Sequence, residues 1–212
     1  MQIQPMDEKG DLVIEGKVFV NHHHENYPTV HRAVGLKITI PDNYPNEPPC
    51  FEETSGIIPR TGEYHINPDN SLCLGSPFHV AKELKSNPDL NRFYEYFFMP
   101  YIYAVLLKIE EGIDFIFGEL SHGNKGEVED LLSEFGVSTQ EQVLSCLKAL
   151  SQKKRISNKK PCPCDCGQRL GKCKTHKTLN KFRAILPRGW YRHGHHRLSM
   201  PQRKKNMYGG IK

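Results

Sequence analysis

The segment Leu36–Pro49 reads LKITIPDNYPNEPP. Leu36, Ile38 and Ile40 alternate with Lys37 and Thr39, the period of a strand with one buried face. Pro41 ends that strand. Tyr44-Pro45-Asn46-Glu47-Pro48-Pro49 follows as a stiff connector poor in backbone donors. Working outward, Asp11–Val20 (DLVIEGKVFV) is a first strand whose apolar end is Val18-Phe19-Val20, and His31–Ile40 is the second. Cys50–Glu53 is a third. The three form an antiparallel meander. His22-His23-His24 sits in the first polar turn; adjacent residues on extended backbone face opposite ways, so the three do not converge on one ion.

Downstream, Tyr64–Pro77 reads YHINPDNSLCLGSP. Cys73 stands between Leu72 and Leu74, just past the turn Asn67-Pro68-Asp69-Asn70. His65 and Asn67 precede it by eight and six residues. A thiolate is a nucleophile and a carboxamide can donate to the oxyanion of a tetrahedral intermediate, so these groups suit acyl transfer. The same cysteine fits a buried strand equally well as a small apolar residue.

A strand, then YPxxPP, then HxN, then a Leu-flanked Cys is the order found in ubiquitin-conjugating enzymes. From about Asp11 to Phe135 the chain resembles that family, in particular its bacterial branch. The resemblance implies an α+β fold, a meander sheet packed on helices, in which Cys73 carries a ubiquitin-like C-terminus as a thioester and passes it to a target amine. It makes Asn67 the asparagine that supports the oxyanion or shapes the loop, and His65 the histidine that ties down the turn. An activating enzyme is the implied donor. Bacterial relatives are often encoded beside such an enzyme, some in antiviral defence systems. Three departures stand out: Asn67 to Cys73 is two residues shorter than in most eukaryotic members, Ile66 replaces a proline, and the first ten residues cannot make the family's N-terminal helix.

Past Cys73, His79 is a candidate local base or a loop histidine. Leu90–Ile109 has a helical rhythm rich in aromatics, with Pro100 expected to kink or break it near Met99. In Ile113–Gly126, glycines bracket Glu119, Ser121 and His122, a possible cleft lining. Glu127–Phe135 is a helix ended by Gly136. Ser138 and Glu141 make a capping box for the next, whose apolar face is Val143, Leu144, Leu147 and Leu150. The chain has no GxxxxGK[ST] or GxGxxG motif.

The net charge of +5 conceals a split. Residues 1–150 carry 11 Lys and Arg against 23 Asp and Glu; residues 151–212 carry 18 against one. Residues 8–150 are expected to form the conjugating-enzyme-like domain and 151–160 a basic linker. Residues 161–212 would be a basic module stapled by structural zinc. In Pro161–His176, PCPCDCGQRLGKCKTH, Cys162, Cys164 and Cys173 plus a fourth ligand can close a tetrahedral site. The C-x-C-x8-C spacing resembles the SEC-C metal-binding motif, whose last ligand directly follows the third; here that position is Lys174. His176 or Cys166 must substitute, with His176 favoured for its reach. Beyond, arginines and histidines interleaved with Phe182, Trp190, Tyr191 and Tyr208 suit nucleic acid, or an acidic protein surface. Seven cysteines without a disulfide pattern, the polar start MQIQPMDEKGD and the lack of a long apolar run point to a cytoplasmic protein and no membrane. Two rival functions are open: a non-catalytic adaptor keeping the conjugating-enzyme shape, and a zinc-dependent nucleic-acid-binding protein acting through residues 151–212.

Overall fold

The computed structural model describes residues 1–118 and 123–200. The readings placed on Glu119, Ser121, His122 and Tyr208 lie outside them. The fold is α+β. The strands are β1 (Gln2–Ile3), β2 (Leu12–His22), β3 (Val30–Ile40) and β4 (Cys50–Glu53), joined in sequence order into one antiparallel sheet. Where the sequence excluded an N-terminal helix, the chain adds a two-residue edge strand, pairing Ile3 with Ile14. The parity read from Leu36, Ile38 and Ile40 continues to Val34 and Val30, with Arg32 between these two exposed. Val30, Val34, Leu36 and Ile38 are buried, while Phe19 on the opposite face of β2 is 82 % exposed. Ile14, Ile38 and Phe51 stand in register across three strands, so the same parity reaches the core on each. Gly35 is required by packing: a Cβ there would lie 2.7 Å from the Thr54 hydroxyl.

Two compact units divide at Asp130 and Leu131. In the first, α1 (Pro77–Ser86), α2 (Leu90–Phe93) and α3 (Met99–Glu111) follow the sheet. The aromatic stretch does not break at Pro100. Tyr94–Phe98 is a π-turn, so the helix runs from α2 into α3 with Pro100 in the opening turn of the latter. The widened turn accommodates a residue that has no N–H to give. Tyr101 through Leu107 are all buried, the mark of a central helix. Phe51 stacks on Phe98 at 5.3 Å and on Phe93 at 5.7 Å. Each such ring contributes about 1.5–3 kcal/mol by leaving water.

The division lies inside α4 (Asn124–Phe135). α5 (Gln140–Leu150) belongs with the second unit, because Val143, Cys146, Leu147 and Leu150 are buried in packing with α6 (Lys154–Ser157), α7 (Thr175–Ile185) and α8 (Arg188–Ser199). The cap of α5 is shifted by one residue from expectation. The Thr139 hydroxyl accepts from the Gln142 N–H, and the Gln142 side chain accepts from the Ser138 N–H.

The basic region up to Met200 is folded, with a core of its own. Leu179, Phe182, Tyr191 and Leu198 are buried, and the Tyr191 hydroxyl donates to the Phe182 carbonyl at 2.6 Å. Tyr191 and Phe182 therefore cannot serve as stacking platforms for bases. Gly194 faces Leu147, where an added Cβ would sit 3.9 Å from the nearest methyl, an ordinary contact. Gly194→Ala is expected to stabilise this unit by about 1 kcal/mol, since glycine is the poorer helix former. Thermal denaturation followed by circular dichroism checks it; a lower melting temperature would contradict the α5–α8 packing.

Candidate active site and metal centre

The turn before Cys73 closes as a small hairpin. The Asn67 N–H donates to the Ser71 carbonyl at 2.8 Å and the Asn70 N–H to the Asn67 carbonyl at 2.9 Å, with Asn70 left-handed at φ 69°. Asparagine tolerates that conformation. Asp69 accepts from both the hydroxyl and the N–H of Ser71, and those bonds, the hydroxyl's first, hold its carboxyl below the usual range. The returning arm adds to the edge of β4: Leu72 N–H donates to the Phe51 carbonyl, and Ser71 bridges Glu52. Cys73 N–H then donates to the His65 carbonyl at 2.8 Å. The thiol thus leaves the sheet edge at the base of the hairpin.

The Cys73 side chain is half-buried. Burial raises its pKa and the Gly75 backbone N–H opposes that. Burial also raises Tyr101, with the neighbouring Cys73 adding to the effect, which puts the two side chains within electrostatic reach. Tyr101 donates to the Tyr64 carbonyl at 2.9 Å, tying α3 to the hairpin. A raised pKa leaves Cys73 mostly thiol at neutral pH. Its alkylation by iodoacetamide is expected to be slower than that of a free thiol at pH 7.5. It should still be rising at pH 9, where a free thiol levels off. Peptide mass mapping across pH measures this, and a rate already flat at pH 8 would contradict it.

Asn67 and His65 share the hairpin with Cys73. The Asn67 amide donates to the Ser71 hydroxyl at 2.9 Å, so in this conformation it shapes the loop. His65 is left-handed at φ 53° and packs edge-on to Phe115 at 4.6 Å. His79 lies on α1, its backbone N–H donated to the Ser76 hydroxyl that caps the helix. Its ring lies against Tyr96 and Phe97, at 5.9 and 5.6 Å. Three groups around this loop carry no local sequence signal. Tyr101 reads as core. Glu53, 3 % exposed, accepts from Ser55 and pairs with Arg60 at 3.0 Å. Ser76, the cap of α1, donates to Asp130 across 54 residues.

In the second unit Cys162, Cys164, Cys166 and Cys173 bring their sulfurs within 4.8 Å of one another. The Cys162–Cys164 and Cys164–Cys173 separations are 3.2 and 3.6 Å, against about 3.7 Å for the edge of a tetrahedron with 2.3 Å zinc–sulfur bonds. Backbone turns build the cluster. Cys162 N–H donates to the Gln168 carbonyl, Asp165 N–H to the Cys162 carbonyl, and Cys173 N–H to the Leu170 carbonyl, with Asp165 and Gly167 left-handed. Burial pushes the Cys162 thiol up to about 12, while the Thr175 hydroxyl holds Cys173 down at about 6. Such a group could hold a metal ion. His176 is not one of the four: its Nε2 faces the side-chain amides of Asn158 at 3.3 Å and Asn180 at 3.0 Å. Cys166, the other candidate, lies with the three because the left-handed turn at Asp165 folds the short C-x-C-x-C run back on itself.

Among the described residues no helix is long and apolar enough to cross a membrane. Compared with protein-family models, curated proteins and solved structures, the chain matches none.

Proposed function

We propose that the first unit carries a ubiquitin-like modifier on Cys73 and transfers it to an amine, as in a conjugating enzyme. The observation that carries this reading is the setting of Cys73. Cys73 is half-buried at the base of a backbone-tied hairpin that adds to the edge of β4, the strand that follows the YPxxPP connector. In the proposed first step the Cys73 thiolate attacks the carbonyl of an activated modifier thioester. The new C–S bond forms, the old one breaks, and the activating enzyme's cysteine leaves as thiolate. A target amine then attacks the Cys73 thioester, loses a proton and expels the Cys73 thiolate. No cation adjoins Cys73 in sequence and its pKa is raised, which suits exchange with an already activated thioester better than attack on an amide. Asn67 would need to rotate away from Ser71 to reach an oxyanion; held as it is, it keeps the hairpin in shape. Asp69 is a standing carboxylate beside the turn and a candidate acceptor of the amine proton.

We infer that the four cysteines bind one structural zinc, which would fix residues 158–175 against the helices of the second unit. Four thiolates leave no open position, so the metal's part is structural. Incubating the full chain with a ubiquitin-like protein bearing a C-terminal thioester, then weighing it with and without reductant, tests the proposed transfer. No reductant-sensitive adduct would overturn it and leave an adaptor.

A further inference from the structure

A cavity of about 760 Å³ opens in the second unit where the end of α5 meets α6 and the turn between α7 and α8. Its size is that of small-molecule sites, roughly 300–1,000 Å³. Its floor is apolar, made by Leu150, Leu186 and Pro187. Its walls are cationic. Arg183 is already engaged, donating to the Ala149, Leu150 and Gln152 carbonyls and to the Ser157 hydroxyl; it neutralises the negative end of α5. Lys153, Lys154, Arg188 and Arg192 remain, all exposed. No carboxylate lines the cavity, and among the described residues none forms an ion pair with these four.

Two features make this more than a solvated basic face. Arg188 and Arg192 stand one turn apart on α8, where like charges cost stability. The N-terminus of α8 opens into the same cavity through Arg188 and Gly189. Its cap position is Pro187, which supplies no side-chain acceptor to the Arg188 and Gly189 N–H groups, while the Trp190 N–H is taken by the Pro187 carbonyl. Beside Gly189 the space where a side chain would sit is empty. Positive side chains, a helix's positive end and open approach converge on one spot.

We propose that this cavity binds an organic polyphosphate of nucleotide size. Its phosphates would lie on Lys153, Lys154, Arg188, Arg192 and the α8 amides, with its organic body on the apolar floor. No glycine-rich phosphate motif announces it, because the cradle is assembled from the start of α6 and the first turns of α8. The site is independent of Cys73, and its failure leaves the transfer chemistry untouched.

Calorimetric titration of the full chain at low salt, with ATP, inorganic pyrophosphate and a four-nucleotide single strand as probes, tests the proposal. ATP is expected to bind most tightly. Arg188→Gln/Arg192→Gln and, separately, Lys153→Gln/Lys154→Gln should each weaken it about tenfold or more. Lys177→Gln/Lys181→Gln removes equal charge from α7 outside the cavity and should change ATP binding by less than about twofold. Equal loss from all three pairs would reduce the effect to general charge and overturn the site. Pyrophosphate binding as tightly as ATP would overturn the role of the apolar floor. Tighter binding of the oligonucleotide would make the cavity part of a nucleic-acid track instead.

Discussion

Cobalt(II) added to the metal-stripped chain is expected to show the intense thiolate charge-transfer and visible bands of a tetrahedral four-sulfur site, at one ion per chain. Cys166→Ala should weaken binding at least about tenfold and His176→Gln should leave the four-sulfur spectrum in place. The physical basis is the ligand set. Four sulfurs already lie within 4.8 Å, and the Thr175 hydroxyl favours the ionised form of Cys173. A closed thiolate site needs little rearrangement of such a group. The His176 imidazole would have to leave two amides to take part. Removing the metal should also cost the second unit stability, about 4 kcal/mol at free metal a thousandfold above Kd. The loss should fall first on residues 158–173, whose backbone bonds run between turns, and later on α5, α7 and α8, which share buried side chains. Hydrogen exchange resolves that order. A cobalt spectrum with a nitrogen ligand that vanishes in His176→Gln would restore the histidine. Metal-free protein with unchanged exchange would leave the cluster without a structural role.

The sheet was legible because its signals are local. Leu36, Ile38 and Ile40 sit at period 2, and Pro41 and the Tyr44–Pro49 connector punctuate their ends, so three strand positions follow from neighbouring residues alone. Cys73, Asn67 and His65 were legible together for the same reason: a tight turn joins them within nine residues. What escaped is what depends on distant contacts. Tyr101 comes within electrostatic reach of Cys73 only because its hydroxyl ties α3 to the Tyr64 carbonyl, and its ring is indistinguishable in sequence from those of Tyr96 or Tyr103. Pro100 was expected to interrupt a helix; a π-turn resolves the missing donor without a break. The basic region hid a core because charged residues outnumber apolar ones on its exposed faces. Leu179, Phe182 and Leu186 at helical spacing, and Tyr191 with Leu198 two turns apart, were the signal available. Between His176 and Cys166 the sequence favours His176 for its reach; the left-handed Asp165, which brings the Cys166 sulfur to the other three, has no local signal.

Transfer of a thioester-bound ubiquitin-like protein to the chain is expected to yield an adduct that thiol reductants release, and Cys73→Ala should abolish it entirely. Seven cysteines compete for the same acyl group, so geometry has to predict which one wins. Four lie in the cysteine cluster, where coordination by zinc would remove their nucleophilicity. Cys146 is buried, with its pKa pushed up to about 12, and cannot meet a protein-sized donor. Cys50 is half-buried on β4, raised by burial and by Glu52 and Asp69, and is the one plausible competitor; Cys50→Ala should therefore leave the adduct intact. Cys73→Ser supplies the sharper test. If the hairpin positions this atom for acyl transfer, the serine should form a slower adduct that resists thiol reductants and yields to alkali, since an oxygen ester replaces the thioester. Ser71→Ala should reduce the yield without changing the chemistry, because the hydroxyl links Asp69 and Asn67 and its loss loosens the hairpin. An adduct that survives Cys73→Ala and disappears with Cys50→Ala would move the nucleophile to β4. No adduct on any cysteine would leave the meander and its hairpin as a binding surface.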